Sequence, residues 1–179
     1  MLTPCWPSTG PAGYPAAVIN RKSHNGAGQD RAVFQSSWAG IIGSEVQEKA
    51  DVQIEINKTY DANTRLLTIN PNLFFQENVS GDVNFTALIT EDDIVDVQLD
   101  QNGKVPDYKH KHVLRDVISA SFSGDLIGTD ITKETSEDLN YTYTIPNEWD
   151  ASKCHIVVFV NKNDGATIDV LQAAEAHVE

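Results

Sequence analysis

The chain has 179 residues and a formal net charge of −13, from 13 lysine and arginine residues against 26 aspartate and glutamate residues. Such an acidic balance repels phosphate backbones and anionic lipid surfaces, so we expect neither nucleic-acid binding nor electrostatic membrane binding. No stretch approaches the roughly 20 apolar residues that span a bilayer, so membrane attachment is expected only through an anchor outside this chain.

Residues 1–50 differ in composition from the rest of the chain, because they are rich in Gly, Pro, Ser and Ala. Only the short apolar run at 16–19 is typical of a strand. Residues 36–50 predict a short helix, with Ser44 as its N-cap and acidic residues in the first turns. We therefore expect 1–50 to be an irregular segment and linker that precedes the main domain.

From Asp51 onward the apolar residues recur with a period of two, which is typical of strands. Turn residues separate the runs, notably at 61–64 and at Asn102-Gly103. The pattern predicts that residues 51–179 form a mainly β, immunoglobulin-like antiparallel β-sandwich with one short helix. The predicted strands lie at 52–60, 67–75, 83–89, 95–99, 139–145, 156–160 and 168–171.

One stretch interrupts the strand pattern, namely DYKHKHVLRDVIS at 107–119. Its apolar residues, at 113, 114, 117 and 118, have the spacing of one helix face. The spacing predicts a helical lid on the sandwich, with Leu114 buried in the core. Arg115 is expected to form a charge-assisted hydrogen bond to an acid, either Glu91 or Asp116.

The same stretch holds two histidines that could bind a metal ion. His110 and His112 are two residues apart, and Glu91 could supply a carboxylate oxygen. No third ligand stands at a characteristic spacing, however. The alternative is that the histidines hydrogen-bond backbone carbonyls and hold the segment against the sheet, and we expect no cofactor.

The sequence contains no motif of nucleophilic catalysis, since Gly-x-Ser-x-Gly is absent and no motif surrounds either cysteine. We therefore predict that the chain is not an enzyme. Cys154 adjoins an apolar run and is interpreted as a buried free thiol. A disulfide with Cys5 is the alternative, which sequence cannot decide.

Several stretches together resemble a known family. TED at 90–92, Gln98, HKHVLR at 110–115 and VLQA at 170–173 occur in this order. The order resembles the C-terminal part of the twenty-eight-kilodalton outer membrane protein family of Bacteroidetes-type bacteria, over roughly residues 50–179. The resemblance implies an exported, lipid-anchored protein at the outer membrane or cell surface of a Gram-negative bacterium. It gives structural roles to Glu91, Gln98, His110, His112, Leu114 and Arg115.

Members of that family resemble a thioredoxin-like domain joined to an immunoglobulin-like one. Residues 13–21, GYPAAVINR, look like the end of a thioredoxin fold, which implies that Pro15 is a cis proline before a strand. On this interpretation residues 1–50 hold only a remnant of that domain. The remnant lacks a Cys-x-x-Cys motif, so redox activity is not expected of this chain.

These observations leave three hypotheses for function. The first is a non-catalytic surface module whose partner is a protein or a glycan. The second is an accessory domain of an envelope thiol-disulfide protein. The third is a metal site formed by His110, His112 and Glu91.

Overall fold

A computed structural model describes residues 15–24, 31–164 and 168–179. Within these ranges the chain is mainly β, as predicted, and its strands pair antiparallel. The elements are β1 (Ala16–Val18), β2 (Ala32–Phe34), α1 (Gln35–Glu45), β3 (Val52–Asp61), β4 (Leu66–Phe75), β5 (Val79–Glu91), β6 (Ile94–Asp100), β7 (Gly103–His110), β8 (Val113–Val117), β9 (Asp125–Ile131), β10 (Ser136–Asp138), β11 (Tyr141–Thr144), a 3₁₀ turn (Ala151–Lys153), β12 (Cys154–Asn163) and β13 (Val170–His177).

Two sheets pack face to face around one core. In the first sheet β4 is central, with β3 on one side and β10 and β11 on the other. The second sheet has the order β13-β12-β5-β8, and β9 pairs with another part of β5. Both sheets supply the fully buried side chains, which confirms the β-sandwich. The largest are Phe75, Phe85, Leu67, Ile69, Leu73, Ile89, Ile145 and Ile156.

The predicted period-two burial holds through β4, whereas the central strand β5 also buries Thr86 and Thr90 on its other face. On β4, Leu67, Ile69 and Leu73 are fully buried, while Leu66, the first residue of the strand, is exposed. Pro71 lies inside β4, at the gap between the segments paired with β10 and β11. The carbonyl of Pro71 accepts from the N–H of Leu139, so the backbone polar groups of Pro71 face this gap rather than β3. Its missing N–H therefore removes no hydrogen bond between paired strands.

The predicted helical lid at 107–119 is wrong, because this stretch forms the end of β7, a turn, and the strand β8. The chain reverses at Lys111-His112, where His112 adopts a φ of 49°. β8 then pairs antiparallel with β5, and Leu114 lies opposite Thr90. The β-branched valines that bound β8 favour a strand, and pairing with β5 outweighs the helical spacing.

The predicted burial of Leu114 is also wrong, since 45% of the residue is exposed. Burial alternates along β8, so Val113, Arg115 and Val117 are half-buried while Leu114 points away from the core. A strand can bury only alternate residues against one neighbouring layer. Adjacent Val113 and Leu114, which would share one side of a helix, are therefore separated onto opposite faces.

A helix occurs instead in the N-terminal region, although not with the predicted cap. α1 begins after Phe34, whose side chain makes no capping hydrogen bond. Ser44 lies near the C-terminal end of the helix, and its Oγ donates to the carbonyl of Gly40. No residue of α1 is buried, so the helix packs only loosely on its neighbours.

β6 and β7 form a hairpin that pairs with no other described strand. The predicted strand at 95–99 and the turn before Gly103 are both confirmed, and Gly103 adopts a φ of 117°. The side chains of this strand do not enter the core, however, because Val95, Val97 and Leu99 are 52–70% exposed. The hairpin is a two-stranded arm outside the sandwich.

Two contacts between described residues join the segment after β1 to the second sheet. The backbone N–H of Val170 donates to the carbonyl of Asn20, and the guanidinium of Arg21 lies 4.8 Å from the ring centre of Phe159. The division into residues 1–50 and 51–179 stays a prediction, as do the immunoglobulin-like assignment and the thioredoxin remnant. Among the described residues, no helix has the length and apolar character needed to cross a membrane.

Candidate functional site

Three histidines and two carboxylates gather at one end of the second sheet, on the face turned away from the core. β12 contributes His155, and the edge strand β13 contributes Glu175 and His177. His155 pairs with His177 and Val157 pairs with Glu175, so these side chains share one face. His112 joins them from the turn before β8. We call His112, His155, Glu175, His177 and Asp92 the histidine–carboxylate cluster.

The distances within the cluster are short. Nδ1 of His155 lies 2.6 Å from a carboxylate oxygen of Glu175, and Nε2 of His155 lies 3.8 Å from Asp92 Oδ2. The rings of His155 and His112 are 5.4 Å apart, and those of His155 and His177 are 4.3 Å apart. His155 is therefore the centre of the cluster.

His155 is buried although it lies on the outer face, because its neighbours cover it. Its side chain is 8% exposed, against 56% for His112 and 44% for Glu175. Nδ1 of His155 is inaccessible to solvent and makes no well-directed hydrogen bond, despite its short contact with Glu175. The contact is thus an electrostatic one, with the buried nitrogen left without a hydrogen-bonding partner.

Asp92 positions the turn that carries His112. The backbone N–H of His112 donates to Asp92 Oδ1 at 2.8 Å, and this bond is the main reason that the pKa of Asp92 lies below its ordinary value. Asp93 pairs with Lys111 at 2.5 Å and with Lys153 at 3.2 Å. The hydrogen bond from Lys111 is the largest cause of the lowered pKa of Asp93. These acids therefore stay ionised beside the cluster.

The structure separates the three residues predicted for a metal site. His112 belongs to the cluster, but His110 ends β7, where its ring contacts Tyr108 edge-on at 4.8 Å. Glu91 is buried and turned to other partners, since its oxygens accept from the Asp150 N–H and face Arg115. A metal site made of His110, His112 and Glu91 does not form in this arrangement.

The other residues singled out from the sequence lie apart. Gln98 is on β6 and donates to the neighbouring carbonyl of Leu99. Arg115 pairs with Glu91 as predicted, with 3.2 Å between Nε and Oε2, although as an ion pair without hydrogen-bond geometry. Pro15 is exposed just before β1. Its predicted cis bond involves residue 14, which lies outside the described residues.

Sequence reasoning missed His155, Glu175 and His177. One signal was present: an acid and a histidine two residues apart on an alternating strand must share a face. That signal is weak alone, because nothing in the sequence shows that β13 lies beside β12. Two imidazoles and a carboxylate are the donor set that proteins use to bind zinc with an open coordination position.

Comparison with solved structures supports the fold. HBP35 of Porphyromonas gingivalis matches with a TM-score of 0.71 and 15% identity, over 94% of this chain and 54% of that one. At this identity the match concerns the fold alone, and the chain spans about half the length of HBP35. A domain of the outer membrane lipoprotein Omp28, also from P. gingivalis, matches with a TM-score of 0.49 and 18% identity, over 74% of this chain and 91% of that one.

Comparison with curated proteins yields no match. The model of one protein family, described as outer membrane protein Omp28, matches residues 6–178. This match spans nearly the whole chain and confirms the resemblance and the outer-membrane location inferred from the sequence. The chain therefore belongs to the Omp28 family of outer membrane proteins.

Proposed function

We propose that the chain is a non-catalytic interaction module of the outer membrane that binds a protein through the β6–β7 hairpin. The observation that carries this proposal is the exposure of large apolar side chains on an arm outside the sandwich. Val95, Val97, Leu99 and Tyr108 are 57%, 52%, 70% and 44% exposed. Val95, Val97 and Leu99 alternate along β6 and share one face of the hairpin, while Tyr108 lies opposite Asp96 on the other face. An exposed aliphatic stripe of this kind is typical of binding sites rather than of inert surface.

The edge of β6 is the part of the hairpin best suited to a partner. Edge strands that avoid pairing usually carry lysine or proline, and β7 carries Lys104, Pro106 and Lys109. β6 carries neither residue type. Its outer edge is unpaired among the described strands, so an extended segment of a partner could add to it by main-chain hydrogen bonds.

The chemistry of β6 favours a protein segment over a glycan. Three of its five exposed side chains are aliphatic and offer no hydrogen-bonding groups, whereas sugar hydroxyls need many. Asp96 and Asp100 flank the aliphatic residues, and the whole chain has a net charge of −13. We therefore infer a partner segment that alternates apolar with basic residues, because opposite charges assist docking.

The test is an array of short peptides from outer-membrane and extracellular-matrix proteins, printed beside glycans and probed with the full chain. The variant Leu99→Lys should weaken peptide binding at least about tenfold, the effect of about 1.4 kcal/mol. Leu126→Lys is the matched control, because Leu126 is 60% exposed on β9 and the change in charge is identical. Binding to glycans alone, or equal loss in both variants, would contradict the proposal.

A second candidate function is an accessory domain of an envelope thiol-disulfide protein. It is favoured by the region from β1 to α1, which forms only a two-stranded sheet and leaves Phe34, Ile42 and Val46 49–69% exposed. Such a hairpin is marginally stable alone, so we infer that a preceding thioredoxin-like domain covers these side chains. The match with HBP35 covers only about half the length of HBP35, which agrees with a further domain in this proposal.

The second candidate is tested on the gene and on the longest natural protein. A Cys-x-x-Cys motif upstream, with disulfide reductase activity in the purified protein, is the expected result. An upstream sequence without that motif would remove this candidate. Cys154 cannot substitute for the motif, because its thiol is buried. Burial raises the pKa of that thiol to about 11.

A further inference from the structure

We propose that His112, His155 and Glu175 bind one divalent transition-metal ion, with Zn²⁺ as the best-suited class. This site differs from the one predicted from sequence, with which it shares only His112. It is also independent of the proposed partner site on β6. The observations that carry it are the convergence of three donor types and the buried, incompletely bonded imidazole of His155.

The donors converge because of the strand register. One ligand atom from each of the three residues lies within 4.8 Å of the other two. Zinc–nitrogen bonds of about 2.0–2.1 Å in a tetrahedral site place neighbouring donors about 3.4 Å apart. His112 and Glu175 are the more exposed of the three residues, so their side chains can rotate to this spacing, with the Glu175 oxygen moving out from its 2.6 Å contact with His155.

His155 supplies the second observation, which points to a ligand rather than to a chance cluster. A side chain more than nine-tenths buried holds Nδ1 against the Glu175 carboxylate without a hydrogen bond. A buried polar atom without a hydrogen bond is costly, so such atoms are normally satisfied. A cation between Nδ1 and the carboxylate would satisfy both groups at once.

The groups around His155 fit this proposal. Asp92 Oδ2 lies 3.8 Å from the other ring nitrogen of His155, too far for a hydrogen bond but on the side where a carboxylate supports a metal-binding histidine. The ring of His177 covers the opposite side at 4.3 Å. Lys111 is the nearest cation among the contacts of Asp92, and it also pairs with Asp93. Among the described residues, the ion pair of Glu175 is with His155 and not with a lysine.

A purely structural role for the cluster makes a different prediction. A protonated His155 held between Glu175 and Asp92 would form an ion-pair network and would have no affinity for metal ions. Both arrangements use the same side chains and differ only by the rotations that metal binding requires. Metal binding by the purified chain decides between them.

The experiment measures binding of Zn²⁺ and Co²⁺ by the full chain, in a Cys5→Ser background that removes the one cysteine outside the described residues. Competition with a chromophoric chelator gives the Zn²⁺ affinity and stoichiometry, and visible absorption of Co²⁺ reports the ligand geometry. We expect one ion per chain. His112→Ala and Glu175→Gln should each weaken binding at least about tenfold, as losses of ligand or supporting groups do.

The control is His110→Ala, which removes the neighbouring histidine outside the cluster and should leave binding unchanged. Both test residues are largely exposed, so the variants should fold, and circular dichroism checks this. The same concentration of Zn²⁺ should also raise the melting temperature of the parent chain by more than that of either variant. Absence of saturable binding, or binding that both variants retain, would overturn the proposal.

Discussion

Nε of Arg115 lies 3.2 Å from Oε2 of Glu91, and the Arg115 guanidinium lies over the ring of Trp149 at 4.7 Å. Glu91 is buried, and its other oxygen accepts from the backbone N–H of Asp150. The pair thus joins the end of β5 to β8 and to the loop before β12. Glu91 is one of the two partners that the sequence predicts for Arg115, the other being Asp116, although the secondary structure predicted for the segment is wrong.

Removal of Arg115 should be more destabilising than its partial exposure suggests. Arg115→Met keeps an apolar contact with Trp149 but leaves the buried Glu91 carboxylate without its cation. We expect a loss of about 2–4 kcal/mol in the free energy of unfolding, below the value for a fully buried pair because Arg115 is partly solvated. Urea denaturation measures the loss.

A double-mutant cycle with Glu91→Gln is the control for that prediction. The amide oxygen introduced by this substitution would still accept from the Asp150 N–H, while no unpaired charge would remain when Arg115 is also replaced. The double variant should therefore lose less free energy of unfolding than the sum of the two single losses. Additive losses would show that the two side chains do not interact.

Leu114→Ala should have little effect on stability, whereas Leu67→Ala should have a large one. Leu114 is 45% exposed and Leu67 is fully buried in β4. We expect a change of no more than about 0.5 kcal/mol for Leu114, typical of surface sites. For Leu67 we expect a loss of about 2–5 kcal/mol, because a cavity is left. Thermal denaturation compares the two, and equal losses would contradict the strand assignment of β8.

Cys154 should resist alkylation in the folded chain. It is fully buried, and burial raises the pKa of its thiol to about 11, so the reactive thiolate is absent near neutral pH. In a Cys5→Ser background, iodoacetamide should modify Cys154 only after denaturation, as mass spectrometry can show. The pKa of Cys154 is higher in the folded chain than in the unfolded chain. The contribution of the neutral thiol to the free energy of unfolding is therefore complete below the unfolded-state pKa and is lost as pH rises through the folded-state pKa.

Asp61 should titrate below the ordinary pKa of an aspartate. The backbone N–H of Asn63 donates to its Oδ1, which is the largest cause of the lowered pKa, and the hydroxyl of Thr64 donates to Oδ2. The stabilisation of this turn is therefore complete above the unfolded pKa and is lost as pH falls through the folded one. Carboxyl ¹³C NMR measures the titration.

The matched variant for that turn is Asp61→Asn, which keeps an oxygen acceptor and cannot titrate in this range. The free energy of unfolding of this variant should fall less at acidic pH than that of the parent chain, by the part that comes from Asp61. An ordinary pKa at Asp61, or an unchanged acid dependence in the variant, would argue against the hydrogen-bonded turn.

The sequence alone determined the sandwich, because alternation along a strand is a local property. Leu67, Ile69 and Leu73 had to share one face of any strand that they formed, and the acidic balance and turn residues were equally readable. The family resemblance and the outer-membrane location also came from short ordered motifs. None of these inferences required knowledge of which strands are neighbours.

Only the tertiary structure decided the rest, because it depends on pairing across the sheet. β8 is a strand since β5 lies beside it, and the local spacing of Val113 and Leu114 is compatible with a helix as well. Val97 alternates as a core residue does, yet its hairpin leaves the sandwich. His155 and Glu175 meet because β12 and β13 pair in one register, and residues 20 apart in sequence acquire a shared site only through such pairing.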